Sequence, residues 1–149
     1  MKLKIDHIGY VVKNIKETKE YFKKIYKFKG LTNYIYEKAH GVNITFIDLG
    51  NKSTPALELI EPTSKKSKVY NFLHQKGGGM HHLAYEVDNL EKAIKYFIKN
   101  DFLQISPVVP GAGHNLTKTC WLLGKKKELI ELLEKQKQKK SISRFTKRI

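Results

Sequence analysis

The sequence predicts an α+β fold built from two β-α-β-β-β repeats that form a curved mixed sheet. Three observations predict it. Residues 7–22 recur 75 positions later, with His7/His82, Tyr10/Tyr85, Val12/Val87, Asn14/Asn89, Tyr21/Tyr96 and Phe22/Phe97 identical. A second echo closes each copy, Leu57-Glu58-Leu59-Ile60-Glu61 in the first and Ile130-Glu131-Leu132-Leu133-Glu134 in the second. With 149 residues and 40% apolar content the chain has material for one compact domain, so the repeats are expected to share a core.

The elements follow in order. Leu3 to Val12 alternates polar and apolar residues and reads as a strand, as does Met80 to Val87 in the second copy. Asn14 and Asn89 then supply helix N-caps. Leu90, Ala93, Ile94, Phe97 and Ile98 fall on one stripe of the second helix, while Ile15, Thr18, Phe22 and Ile25 make a weaker stripe in the first. After Gly30 the period returns to two through Asn33 to Ala39, Val42 to Gly50 and Ala56 to Glu61, with turns at His40-Gly41 and Gly50 to Ser53. Ser64 to Lys76 reads as a linking helix that ends in a flexible join, Gly77-Gly78-Gly79. The second copy continues through Phe102 to Ser106, a loop containing Pro107, Pro110, Gly111 and Gly113, and strands near Thr117 to Leu123 and Lys127 to Leu133. This gives one domain over residues 1–134, with repeat one at about 3–62, repeat two at about 80–134 and the link at 63–79. Residues 135–149 form a basic tail that is expected to be disordered.

The net charge of +15 divides unevenly. Seven of the 29 basic residues lie in the tail, which has no acid, leaving 22 bases against 14 acids before it. Such a surface can attract an anionic small molecule. Among the tail's bases only Phe145 is aromatic, so nucleic-acid binding is not expected. No stretch approaches the roughly 20 apolar residues of a membrane span, and residues 1–7 lack a signal peptide's apolar region. A cytoplasmic location is therefore expected. The lone Cys120 excludes an internal disulfide and reads as a buried small side chain.

Strand parity picks out the candidate site. His7 shares a strand face with Gly9 and Val11, and His82 with Ala84 and Glu86, opposite the larger apolar residues expected to pack under the helices. Glu58 lies opposite Leu57 and Leu59, and Glu131 opposite Ile130 and Leu132. A carboxylate on such a strand is costly to bury unless it is paired or bound to a cation. Taken singly each residue has a bland reading; repeated, they suggest a metal-binding cleft with ligands His7, Glu58, His82 and Glu131. His81 competes with His82, but a one-residue shift would turn it to the helix face. Glu61 and Glu134 also repeat, at strand ends where a solvated role is expected. His40 and His74 are expected at the surface, and His114 is a candidate substrate contact. Two imidazoles and two carboxylates suit cobalt, nickel, manganese, zinc or iron, and an octahedral ion would keep two positions for water or substrate. Such an ion would stabilise an enolate while a neighbouring carboxylate moves the proton.

The doubled pattern with Asp6-His7-Ile8 and His82-Leu83-Ala84 resembles the vicinal oxygen chelate superfamily, which includes glyoxalase I, methylmalonyl-CoA epimerase, extradiol dioxygenases and fosfomycin and bleomycin resistance proteins. Residues 40–51, 57–62 and 78–89 are most similar to the methylmalonyl-CoA epimerases. The resemblance implies that His7, His82 and Glu131 are metal ligands, that Glu58 takes a fourth position, and that Glu131 and Glu58 are the catalytic proton-transfer pair. It implies a small-molecule substrate, with an acyl-CoA thioester as one candidate, and a homodimer as one candidate assembly. Two departures stand out. Asn43, Ile44 and Thr45 occupy the strand where some epimerases carry a further Glu. Gly111 to Asn115 and Trp121 to Lys127 differ from the family's pocket-shaping segments, so a different acyl or a sugar-derived substrate fits as well. Glyoxalase I-like lyase, dioxygenase and non-catalytic resistance-type binding remain the alternatives.

Overall fold

The computed structural model describes residues 2–27, 30–31, 33–49, 55–111 and 117–135. Its elements are β1 (Lys4–Val11), α1 (Ile15–Tyr26), β2 (Gly30–Leu31), β3 (Ile35–Glu37), β4 (Val42–Asp48), β5 (Ala56–Pro62), α2 (Tyr70–Lys76), β6 (Gly79–Val87), α3 (Leu90–Lys99), β7 (Leu103–Gln104), β8 (Val109–Pro110), β9 (Lys118–Leu123) and β10 (Leu129–Glu134). The fold is α+β with mixed strand pairing. The described residues form two compact units, one holding residues up to 7 and those from 82 onward, the other holding those from 8 to 81. Strands β1 and β6 thus each pass from one unit to the other between a pair of successive residues.

In the first unit the strand order is β6-β10-β9-β7, with β8 also on β9. β10 runs parallel to β6 and antiparallel to β9. One face buries Val87, Cys120, Leu122, Ile130 and Leu132 against Leu90, Ala93, Ile94 and Phe97 of α3. That face is the one the 3.6-residue stripe of α3 demands, and Asn89 caps the helix by accepting the N–H of Lys92 at 2.8 Å.

In the second unit the order is β2-β4-β5-β1, with β3 also on β4. Val12, Ile15, Ile47 and Leu59 form a buried cluster joined by Tyr10 and Phe22, whose rings meet edge to face at 6.1 Å. Val11, Val42, Ile44, Phe46, Ala56, Ile60 and Val69 form another. Asn14 caps α1 through the N–H of Glu17. Ile25, assigned to the apolar stripe by periodicity, is 51% exposed, because the last turn of α1 carries Lys23 and Lys24 and runs beyond the buried cluster.

Several boundaries differ from the sequence reading. The linking helix is only Tyr70–Lys76, since residues 63–69 are taken up by turns: Ser64 accepts the N–H of Ser67 on its carbonyl and that of Lys66 on its hydroxyl. Local bonding of this kind competes with helix propagation. The glycine join is not slack either. Gly77 closes α2 in the left-handed region at φ 75°, and Gly78, at φ 94°, lies so close to β1 that a Cβ there would sit 2.6 Å from the Val11 carbonyl oxygen. The expected strand at 102–106 shrinks to two residues because Ser106 turns its hydroxyl to the carbonyl of Pro107 and its own carbonyl accepts from Gln104. The expected tail, from 136 onward, lies outside the described residues. Among the described residues no helix is long and apolar enough to cross a membrane.

Candidate metal centre

Three of the four expected ligands belong to the first unit and converge. His7 is the last residue of β1 in that unit, His82 the first of β6, and Glu131 lies in the middle of β10; they are 0%, 2% and 5% exposed. The Nε2 atoms of His7 and His82 are 3.2 Å apart, and His7 Nε2 is 3.4 Å from Glu131 Oε2. Two donors at right angles on one ion, each about 2.1 Å away, stand about 3.0 Å from each other. The spacing therefore fits a shared divalent cation, and the hard oxygen and borderline nitrogen donors fit the same ions.

The tautomer of His7 follows from its neighbour. Asp6 Oδ2 lies 2.9 Å from His7 Nδ1, and a carboxylate can only accept, so Nδ1 carries a proton and the neutral ring has its lone pair on Nε2, facing the cluster. This is the carboxylate–histidine arrangement that orients metal-bound imidazoles. Asp6 escaped the sequence reading for two reasons. Strand alternation assigns it to the face opposite His7, and its counterpart at the 75-residue offset is His81, so repetition gives it no support.

The remaining walls come from register. Glu131 pairs with Ala84 on one side and with Trp121 on the other. Paired residues share a face, so Ala84, Glu131 and Trp121 form a row across β6, β10 and β9. The indole of Trp121 meets the His82 imidazole edge to face, with centroids 4.6 Å apart. Trp121 stands 75 positions after Phe46, which pairs with Glu58 on β5 as Trp121 pairs with Glu131 on β10, so the repeat offset is the signal that could have found it.

Glu58 belongs to the second unit. It is 6% exposed and sits between Ala56 and Ile60 on β5, paired with Phe46, on the face opposite Leu57 and Leu59 that parity assigns. The same unit holds His81, whose ring packs edge to face on Phe72 of α2 at 4.9 Å. Burial holds the His81 imidazole below the ordinary histidine range; the Glu58 carboxylate opposes that displacement and His40 reinforces it. His40 is no simple surface residue, because its Nδ1 is paired with Glu37 Oε2 and the ring is half-buried. His74 is exposed and stacks on Tyr70. His114 lies outside the described residues.

Glu61 and Glu134 correct the expectation of a solvated role. Each is half-buried and accepts the N–H of the first residue of its own repeat's helix, Ile15 of α1 at 2.6 Å for Glu61 and Leu90 of α3 at 3.3 Å for Glu134. A carboxylate at a helix N-terminus satisfies an orphan donor and the helix dipole together.

Comparison with known proteins identifies the family. The family model described as Glyoxalase/Bleomycin resistance protein/Dioxygenase superfamily matches residues 6–121. The mitochondrial methylmalonyl-CoA epimerase of Homo sapiens is 29% identical over 112 residues, which cover 74% of this chain and 61% of that protein's length. That of Dictyostelium discoideum is 29% identical over 135 residues, 89% of this chain and 78% of the relative. The crystal structure of a hypothetical protein from Bacillus halodurans C-125 matches with a TM-score of 0.82 at 29% identity, covering 95% of this chain and 100% of that one.

Proposed function

This chain belongs to the Glyoxalase/Bleomycin resistance protein/Dioxygenase superfamily, and from that premise we propose that it is a metal-dependent epimerase acting on an acyl-CoA of the methylmalonyl type. The observation that carries the reading is the buried convergence of His7 Nε2, His82 Nε2 and Glu131 Oε2. The epimerases at 29% identity support the reaction class. In this reading Glu58 is the fourth donor; it is the repeat counterpart of Glu131 and is likewise a buried carboxylate on an otherwise apolar strand face.

His7, His82 and Glu131, with Glu58, would hold a divalent cation, which would supply Lewis-acid polarisation of the thioester carbonyl. The protein supplies the rest. Asp6 holds the His7 ring in one tautomer and orientation. Glu131 removes the proton from the carbon next to the carbonyl, and Glu58, contributed by the other repeat, returns a proton to the opposite face. Two carboxylates suit this exchange, because one must be a base while the other is an acid, and the roles reverse for the reverse reaction. The apolar surroundings of the row Ala84, Glu131 and Trp121 keep water from competing for the proton.

The test is proton–deuterium exchange at C2 of methylmalonyl-CoA and related acyl-CoA thioesters in D₂O, followed by NMR with metal-loaded protein. Exchange in the wild type, falling by about 10²–10⁴ in Glu131→Gln and in Glu58→Gln, is the expected result. No exchange over the panel rejects the reading.

One observation favours a second reading. Within the first unit alone, two His and one carboxylate make the donor set of non-haem iron oxygenases. Oxygen uptake that depends on Fe(II), with no C2 exchange, would select it.

A further inference from the structure

We infer that Trp121 sets the size limit for the substituent on the reacting carbon, which makes this a site for small 2-alkyl thioesters. The inference rests on the epimerase reading and extends it to substrate choice. Three observations carry it. Glu131 is flanked in the strand row by Ala84, which is fully buried and offers only a methyl group, and by Trp121, the largest side chain available. The indole stands against the imidazole of His82, so it borders both the proposed ligand set and the proposed base. Its backbone is anchored on both sides, since its N–H is donated to Ser106 Oγ at 2.9 Å and its carbonyl accepts the N–H of Ile105 at 2.9 Å.

The physical consequence is a one-sided pocket. A carbon whose proton Glu131 removes must lie close to that carboxylate, and whatever else the carbon carries meets alanine on one side and a held indole on the other. A methyl group fits beside an indole edge with dispersion contacts; each added methylene must displace a ring whose backbone has no room to slide. Overpacking of this kind acts on transition-state fit, so it appears in kcat/KM.

The experiment compares C2 exchange on malonyl thioesters bearing methyl, ethyl or propyl at C2, using metal-loaded wild type, Trp121→Phe and Trp121→Ala. A methylene in an apolar pocket changes kcat/KM by about 10–200-fold. We expect the propyl-to-methyl ratio to rise about tenfold or more in Trp121→Ala, with Trp121→Phe in between. Trp121 is the chain's only tryptophan, so its emission is a second, activity-free readout. Cobalt is expected to quench it in wild type and to leave it unquenched in His82→Ala. A wild type that exchanges, together with an unchanged ratio in Trp121→Ala, overturns the role of Trp121 while leaving the epimerase reading intact. A wild type in which cobalt quenches emission but no thioester exchanges overturns the epimerase reading itself. Emission indifferent to cobalt overturns the placement of the indole beside the metal.

Discussion

The Nε2 atoms of His7 and His82 lie 3.2 Å apart, although the residues are 75 positions apart in the chain. Both rings are buried, and with Nδ1 of His7 committed to Asp6 the two facing nitrogens and the Glu131 carboxylate form a cluster rich in lone pairs. A cation is the natural centre of such a cluster. Binding of one equivalent of Co²⁺ or Zn²⁺ should raise the melting temperature, by about 2.7 kcal/mol of stability at a hundredfold excess over Kd. Affinity should fall as pH falls, because each ligand must be deprotonated to bind. His7→Ala and His82→Ala should abolish the shift in differential scanning fluorimetry; a shift that survives both changes would exclude this cluster.

Asp6 acts through His7. Asp6→Asn removes the charge that fixes the imidazole tautomer and should weaken metal binding by about 10–100-fold. Competition titration against a chelator reads this directly. Affinity equal to wild type would show that Asp6 only fills space.

Glu61 and Glu134 hold the N-termini of α1 and α3 with unequal grip, 2.6 Å against 3.3 Å. Glu61→Ala should cost about 1 kcal/mol, and Glu134→Ala less. For a chain of this length that is roughly 2–4 °C in Tm per kcal/mol. Equal or reversed losses would contradict the ranking.

Burial pushes the Cys120 thiol up, with Ser106 opposing the shift, and the residue is fully enclosed. The reactive species is the thiolate, so a raised value means less of it at neutral pH and a slower reaction. Native protein should react with a disulfide reagent far more slowly than urea-unfolded protein between pH 7 and 8. Equal rates would show that the site opens readily.

The repeat made much of this molecule readable. Asn14 and Asn89 cap helices as their positions in the two copies imply, and parity assigned Glu58 and Glu131 to the strand faces opposite their leucine and isoleucine neighbours, as they stand. Where the reading failed, a local bond overrode the pattern. Ser64 diverts its neighbours into turns and shortens the linking helix, Ser106 ends β7 early, and the positive φ of Gly78 brings the join onto β1. Periodicity counts residues along one element and is blind to such bonds.

The amino-acid sequence by itself determined the α+β class and the recurrence of one histidine and one glutamate at matching places in its two copies, because hydrophobic period and internal repetition are properties of a one-dimensional string. Only the tertiary structure decided that Asp6 holds His7, that Trp121 stands beside Glu131 and His82, and that Glu61 and Glu134 tie down helices. Those relationships depend on which strands become neighbours and in what register. Register is set by the sum of packing and hydrogen bonding over the whole sheet, which no single stretch of residues encodes.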